Sequence, residues 1–376
     1  MVRELTLAVE GRCLGRARPT GVDRYATAVL EHLAEEQPSW SQIAVVPRGP
    51  DRAPPPHMQV RHSALTEVQT WRATRYAITP PLDLVSGTRA DVWLFPDFVR
   101  APLAMKRPSV SVVYDLSFVR HPELADARNG EYLRTQVPRT LRSSTSIVAV
   151  SDHCRREIHD VYRVPLEAVT VVPPGVDLAR FRPEARQDVA GLRQRLGLPA
   201  TYVLHVGTLE PRKNVERLIA AHRMLSRPLR EQFPLVLAGK LGWRSEGVEV
   251  ALAVPDPFVQ HLEYVSDDDL LPLHAGASLF ALVSLYEGFG VPLLEAMASQ
   301  VACLTSRTSS MPEVVGDAGM LIDPTSTADI AAALRALLED EDRRRTMAEL
   351  GRLRAQRYTW STAARRLADV ITAARG

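Results

Sequence analysis

The chain has 376 residues, of which 45% are hydrophobic, 24% charged and 6% aromatic, a composition that excludes a disordered or fibrous protein. Its 46 basic and 44 acidic residues leave a net charge of +2, so no strong field exists to recruit nucleic acid or anionic membrane nonspecifically. Among the basic residues only Lys106, Lys213 and Lys240 are lysine against 43 arginines, a ratio that a GC-rich coding bias explains.

At the N-terminus, Glu4 interrupts the apolar stretch before it could serve as a signal-peptide core. A helix is expected over 23–36, opened by the loop Arg18-Pro-Thr-Gly21. Short runs rich in Val, Ile and Leu follow at 43–46, 92–95, 110–114, 147–150 and 169–172, and read as buried parallel strands. Arg128, Arg134, Arg139 and Arg142 form a basic stretch, either a solvated helix face or a surface toward a lipid-linked glycan. The composition shifts once, from Pro173-Pro174-Gly175 to Glu184, which marks a domain boundary. Beyond it, strands are expected at 202–206, 235–238, 259–264, 279–283 and 301–305, with helices at 214–226, 270–275, 292–298 and 326–339. The alternation gives an α/β protein with parallel sheets covered by helices on both faces. The expected domains are 1–180, 181–356, and a C-terminal helix in 357–376 that crosses back to the first domain.

Cys13, Cys154 and Cys303 are odd in number and far apart, which fits a reducing compartment. No segment reaches the roughly 18 apolar residues of a membrane span. A cytoplasmic location is expected, with peripheral contact to the inner face of the membrane left open.

Two segments carry chemistry. In Tyr202-Val-Leu-His-Val-Gly207-Thr208-Leu-Glu-Pro-Arg212-Lys213-Asn214, a strand passes through a short loop with two adjacent cations into a helix, a junction suited to phosphate or diphosphate. The plain alternative is a solvated pair, but cations at a helix start oppose its dipole and call for compensation. In Ser284-Leu-Tyr-Glu287-Gly288-Phe289-Gly290-Val291-Pro292-Leu-Leu294-Glu295, glycines beside Glu287 let backbone approach a ligand, and carboxylates there can accept hydrogen bonds from sugar hydroxyls. Glu295 equally suits a first-turn acid that compensates the dipole. Asp267-Asp268-Asp269 has the Asp-x-Asp spacing of a divalent-ion site, yet its place after Ser266 and before Leu270 reads as a helix cap.

Together with Ser310-Met-Pro-Glu-Val-Val-Gly-Asp-Ala-Gly319, Val150-Ser-Asp, Pro174-Gly-Val-Asp177 and Tyr358-Thr-Trp360, these motifs resemble glycosyltransferase family 4 over nearly the whole chain. The resemblance implies the GT-B fold, two facing Rossmann-like, doubly wound domains with substrate in the cleft between them, and retaining transfer. By the same resemblance Arg212 and Lys213 hold the donor diphosphate, Glu287 the donor sugar and Glu295 the ribose, while backbone at Val265 contacts the nucleobase. The other substrate contacts expected are Gly21, Tyr114 and Asp115 in the first domain, and Gly207, Thr208, Lys240, Gly288, Phe289, Gly290, Val291 and Leu294 in the second. Tyr114 stands where the family often has His, so His-based contacts do not transfer. It either hydrogen-bonds sugar or packs in the core.

The expected reaction moves a hexosyl group, mannosyl first, from a nucleotide-diphosphate sugar (GDP-mannose or a UDP-sugar) to a hydroxyl of a glycan or lipid-linked glycan in bacterial polysaccharide synthesis. No metal and no cofactor are expected. The rivals are a sugar-nucleotide epimerase of the same shape, separated by a product assay without acceptor, and a non-catalytic sugar-nucleotide binder, separated by binding without turnover.

Overall fold

Every strand pairing among the described residues is parallel, and the strands build two separate sheets. The computed structural model describes residues 4–16, 19–48, 53–66, 69, 72, 86–100, 107–183 and 189–376. The first sheet holds β1 (Thr6–Glu10), β2 (Ser41–Arg48), β3 (Gln59–Thr66), β4 (Val92–Phe95), β5 (Ser109–Val113), β6 (Ser146–Ala149) and β7 (Val169–Val171), in the order β3-β2-β1-β4-β5-β6-β7. The second holds β8 (Val203–Val206), β9 (Leu235–Ala238), β10 (Val259–His261), β11 (Leu279–Leu282), β12 (Cys303–Ser306) and β13 (Gly319–Ile322), in the order β10-β9-β8-β11-β12-β13.

These are two Rossmann-like units. Strand order reverses between β1 and β4 in one and between β8 and β11 in the other; at such a switch the loops leaving the two strands diverge and open a crevice at the carboxyl ends. Both cation-bearing and carboxylate-bearing motifs follow the strands of the second switch, β8 and β11.

The central strands β4, β8, β9 and β11 are buried along their whole length, which is why β4, β9 and β11 read as unbroken apolar runs and β8 as one interrupted only by His205. Helix Val215–Arg223 buries Val215, Leu218, Ile219 and His222, spaced at one helical face. Most of that face joins Ile330, Leu334 and Leu337 of helix Thr327–Leu338 in one core. Each such Leu or Ile contributes about 1.5–3 kcal/mol of burial.

The structure corrects three expectations about elements. Strands β1, β3 and β13 were not expected: β1 is a short buried Leu7-Ala8-Val9 run that ends in Glu10, β3 is largely exposed, and β13 is only partly buried. The 259–264 strand ends at His261, and the helix expected at 270–275 begins earlier, at Asp267.

The first unit comprises Met1–Pro122, Ala127–Pro174 and Trp360–Gly376, and the second Glu123–Asp126 and Gly175–Thr359. The division therefore precedes the expected residue 180. Val176 donates its N–H to Tyr358, which lies in the second unit as Val176 does. Leu124 accepts from the Trp243 indole, which places the short 123–126 stretch there too. The last helix, Trp360–Arg375, packs on helix Gly21–Glu36 in the first unit, with the Tyr25 and Trp360 rings 5.9 Å apart and Ser361 bonded to Glu36.

Candidate active site

Strand β8 ends at Val206, and the chain turns at Gly207 directly against Gly239, which follows β9. A Cβ on Gly239 would sit 2.0 Å from the Gly207 carbonyl oxygen, so only glycine lets these two backbones meet. Beyond that contact, Pro211–Lys213 form one 3-10 turn, and Asn214 takes the left-handed conformation, φ 59°. Its amide donates to the carbonyls of Val283 and Pro324, which fixes where helix Val215–Arg223 begins. Arg212 and Lys213 thus precede the helix, and two carboxylates supply the compensation that its dipole requires.

Glu287 is the centre of that compensation. It follows β11, is 5% exposed, and accepts from Lys213 Nζ at 2.6 Å and Ser284 Oγ at 2.7 Å on Oε1, and from Arg212 Nη1 at 2.7 Å on Oε2. Arg212 also donates to Glu210 Oε1 at 2.6 Å and to the Tyr286 carbonyl at 2.9 Å. The Glu287 N–H donates to Ser309 Oγ at 3.0 Å, and the Ser310 hydroxyl bonds the Glu287 and Phe289 carbonyls. The side chain and its backbone are therefore held from both sides. Burial pushes the Glu287 carboxyl up, but the charges of Arg212 and Lys213 and the bonds from Lys213 and Ser284 bring it down to about 2.

A carboxyl depressed in the folded state adds stability that is full above its ordinary 4.5 and is lost as pH falls toward about 2. Urea midpoints measured across that interval are expected to fall more steeply for the wild type than for Glu287→Gln. Parallel slopes would remove Glu287 from the acid transition.

An ammonium has three donors, and Lys213 hydrogen-bonds one acceptor among the described residues. Below it lies His205, fully buried, whose Nδ1 donates to the Ala281 carbonyl at 3.0 Å. Burial lowers this imidazole to about 4, so it stays neutral beside Lys213. Lys240 is exposed and joins this network through no ion pair among the described residues; Leu209 bonds only its carbonyl.

Glu295 is carried by helix Val291–Ala298, which starts after Gly290, φ 99°, with Pro292 in its first turn. It is the fifth helical residue, beyond the first turn, so dipole compensation does not explain it. Phe289 and Leu294 are buried in packing, the former with its ring 5.7 Å from that of Tyr358. Gly288 is buried, Val291 and Thr208 are half-buried, and Val265 is buried next to the exposed Tyr264.

In the first unit, Gly21 opens helix Gly21–Glu36 behind a capping box of Thr20 and Asp23, and a Cβ there would meet nothing within 4 Å. Arg18 lies outside the described residues. The Tyr114 hydroxyl donates to the Pro96 carbonyl at 2.7 Å and its ring packs 5.3 Å from Tyr25 and 5.1 Å from Phe98. The ring and hydroxyl are thus both engaged in packing within the first unit. Asp115 accepts from the Ser117 N–H and hydroxyl, capping its own turn. Asp267, Asp268 and Asp269 form the first turn of helix Asp267–Ala275, with Ser266 accepting from the Asp269 N–H and Arg195 bonding Asp269.

Glu210, His205 and His274 also belong to this region, and no motif in the sequence singles them out. Glu210 had a local signal, a carboxylate two residues before Arg212, whereas the histidines are placed only by the fold.

The pattern of glycosyl transferases group 1 matches residues 192–354, and that of glycosyltransferase family 4 matches residues 19–180. O-antigen chain mannosyltransferase B of Escherichia coli is 32% identical over 255 residues, 67% of this chain and 67% of the relative. The chain belongs to glycosyltransferase family 4. Serotype-specific mannosyltransferase WbdA of Escherichia coli is 29% identical over 70% of this family 4 chain but only 33% of its own length. Among solved structures, sucrose-phosphate synthase of Thermosynechococcus elongatus matches with TM-score 0.77 at 18% identity over 98% of this chain and 99% of that one. HepE of Anabaena, in complex with UDP and glucose, matches with TM-score 0.73 at 19% identity over 98% and 99%. At these identities the likeness concerns the fold, GT-B. No helix among the described residues is long and apolar enough to cross a membrane.

Proposed function

We propose that this family 4 glycosyltransferase moves a hexosyl group, mannosyl first, from a nucleotide-diphosphate sugar to a hydroxyl of a glycan or lipid-linked glycan in bacterial polysaccharide synthesis. The observation that carries the reading is the buried Arg212–Glu287–Lys213 cluster at the β8/β11 switch, where two cations are held side by side among backbone turns. A diphosphate is the anion that matches two adjacent cations of different shape, a planar fork and a point charge. The mannosyl choice and the polysaccharide setting rest on the Escherichia coli relatives, and a UDP-sugar is the second donor because HepE was solved with UDP and glucose.

In this reading Arg212 and Lys213 stabilise the negative charge that builds on the leaving diphosphate, and no metal is called for. Glu287, ionised by its neighbours, orients the sugar, and Glu295 holds the ribose hydroxyls. Configuration is retained by attack on the face from which the diphosphate leaves. The acceptor oxygen bonds C1 as the C1–O bond to phosphate breaks, and the hydroxyl proton passes to the leaving phosphate oxygen. No protein nucleophile takes part.

Thermal-shift screening against nucleotides and nucleotide sugars tests the donor class. A donor at a hundred times its dissociation constant is expected to stabilise by about 2.7 kcal/mol. Absence of a shift with GDP-mannose and every UDP-sugar, or strict dependence of transfer on a divalent ion, would overturn this assignment.

A further inference from the structure

His274 lies on helix Asp267–Ala275, fully buried, its ring edge-on to Phe181 at 5.8 Å and tilted against Phe280 at 5.3 Å. Neither ring nitrogen has a hydrogen-bond partner among the described residues. An imidazole with two unsatisfied nitrogens among aromatic rings is worse for stability than an apolar side chain of similar volume, so packing does not account for its presence. Its Nε2 lies 3.6 Å from Glu295 Oε2, slightly too far for a hydrogen bond, and the Glu295 side chain is 13% exposed. Contacts of this kind in ligand-free enzymes are often long and tighten in the complex.

We infer that His274 is a positioning residue for Glu295: its Nε2–H donates to one carboxylate oxygen and aims the other at the ribose hydroxyls of the donor nucleotide. The inference rests on the reading of Glu295 as the ribose ligand. His274 acts from behind the carboxylate and touches no substrate. The pairing satisfies one of its two bare nitrogens and removes the freedom of a carboxylate that would otherwise have to be ordered by the nucleotide itself.

The test is calorimetric affinity for GDP and UDP in the wild type, His274→Phe, His274→Gln, Glu295→Ala and the His274→Phe/Glu295→Ala double variant. His274→Phe is expected to weaken the better-bound nucleotide about tenfold, the loss of one charge-assisted hydrogen bond, and to raise KM for donor with kcat nearly unchanged. Glutamine, whose amide donates from near the Nε2 position, is expected to restore most of the affinity. In the Glu295→Ala background the His274→Phe change is expected to have no further effect, and His274→Phe alone is expected to melt no lower than the wild type. Weakening by Glu295→Ala but not by His274→Phe, or an equal His274→Phe effect in both backgrounds, overturns the inference. Affinity indifferent to Glu295→Ala overturns the ribose reading and the inference with it.

Discussion

Replacing Glu287 by glutamine is expected to lower turnover by about two to three orders of magnitude and stability by about 3–5 kcal/mol. The side chain is isosteric, so the loss is of charge. Arg212 would keep its ion pair with Glu210, whereas Lys213 would lose its one ion pair among the described residues. The amide cannot accept from Lys213, Ser284 and Arg212 at once, since one end of it only donates. Initial rates at saturating donor and acceptor, with urea unfolding of the same preparation, separate the two effects. Near-normal turnover in a folded variant would remove Glu287 from the chemistry, and unchanged stability would show that the cluster is not the buried network described above.

Lys213→Ala is expected to lower kcat/KM by about two to three orders of magnitude, and Lys213→Arg to recover less than a tenth of that loss. The reason is shape. Lys213 is 11% exposed and reaches Glu287 Oε1 at 2.6 Å beside the Ser284 hydroxyl and a neutral His205. A planar guanidinium beside Arg212, itself already bonded to Glu287, Glu210 and a carbonyl, has no comparable slot. This gives the arginine bias a use: in a chain with 43 arginines and three lysines, a site that requires a compact ammonium is one of the few places where arginine does not substitute. Steady-state rates of both variants decide it, and full activity of Lys213→Arg would return the lysine to codon usage.

The second unit was more legible in the sequence than the first. Buried central strands write themselves as apolar runs, and β8, β9 and β11 lie within their expected spans. The edge strands divide: β7 and β10 lie within expected runs, whereas β3 is largely exposed and β13 is a short, partly buried triplet after a glycine, so neither stands out. Within the site, the two cations and Glu287 were visible as residue types following strands, since the carboxyl ends of parallel strands are where ligands bind. Their mutual bonding was not, because it depends on β8 and β11 being neighbours in space while 74 residues separate Lys213 from Glu287. The same holds for His274, whose distance from Glu295 is set by how two helices of the second unit sit against each other. Tyr114 shows the limit from the other side: sequence leaves sugar contact and packing open, and its packing partners, the Pro96 carbonyl and the Tyr25 ring, are placed only by the fold.

The central claim is that Arg212 and Lys213 at the β8/β11 switch hold the donor diphosphate. It is tested most directly by comparing the affinities of a nucleoside diphosphate and its monophosphate for the wild type and for Lys213→Ala. The account predicts that losing the second phosphate weakens wild-type binding by about 1.5–3 kcal/mol, the range for a hydrogen bond to a charged group, and weakens the variant far less. An equal loss in both proteins would place the phosphate elsewhere and contradict the account.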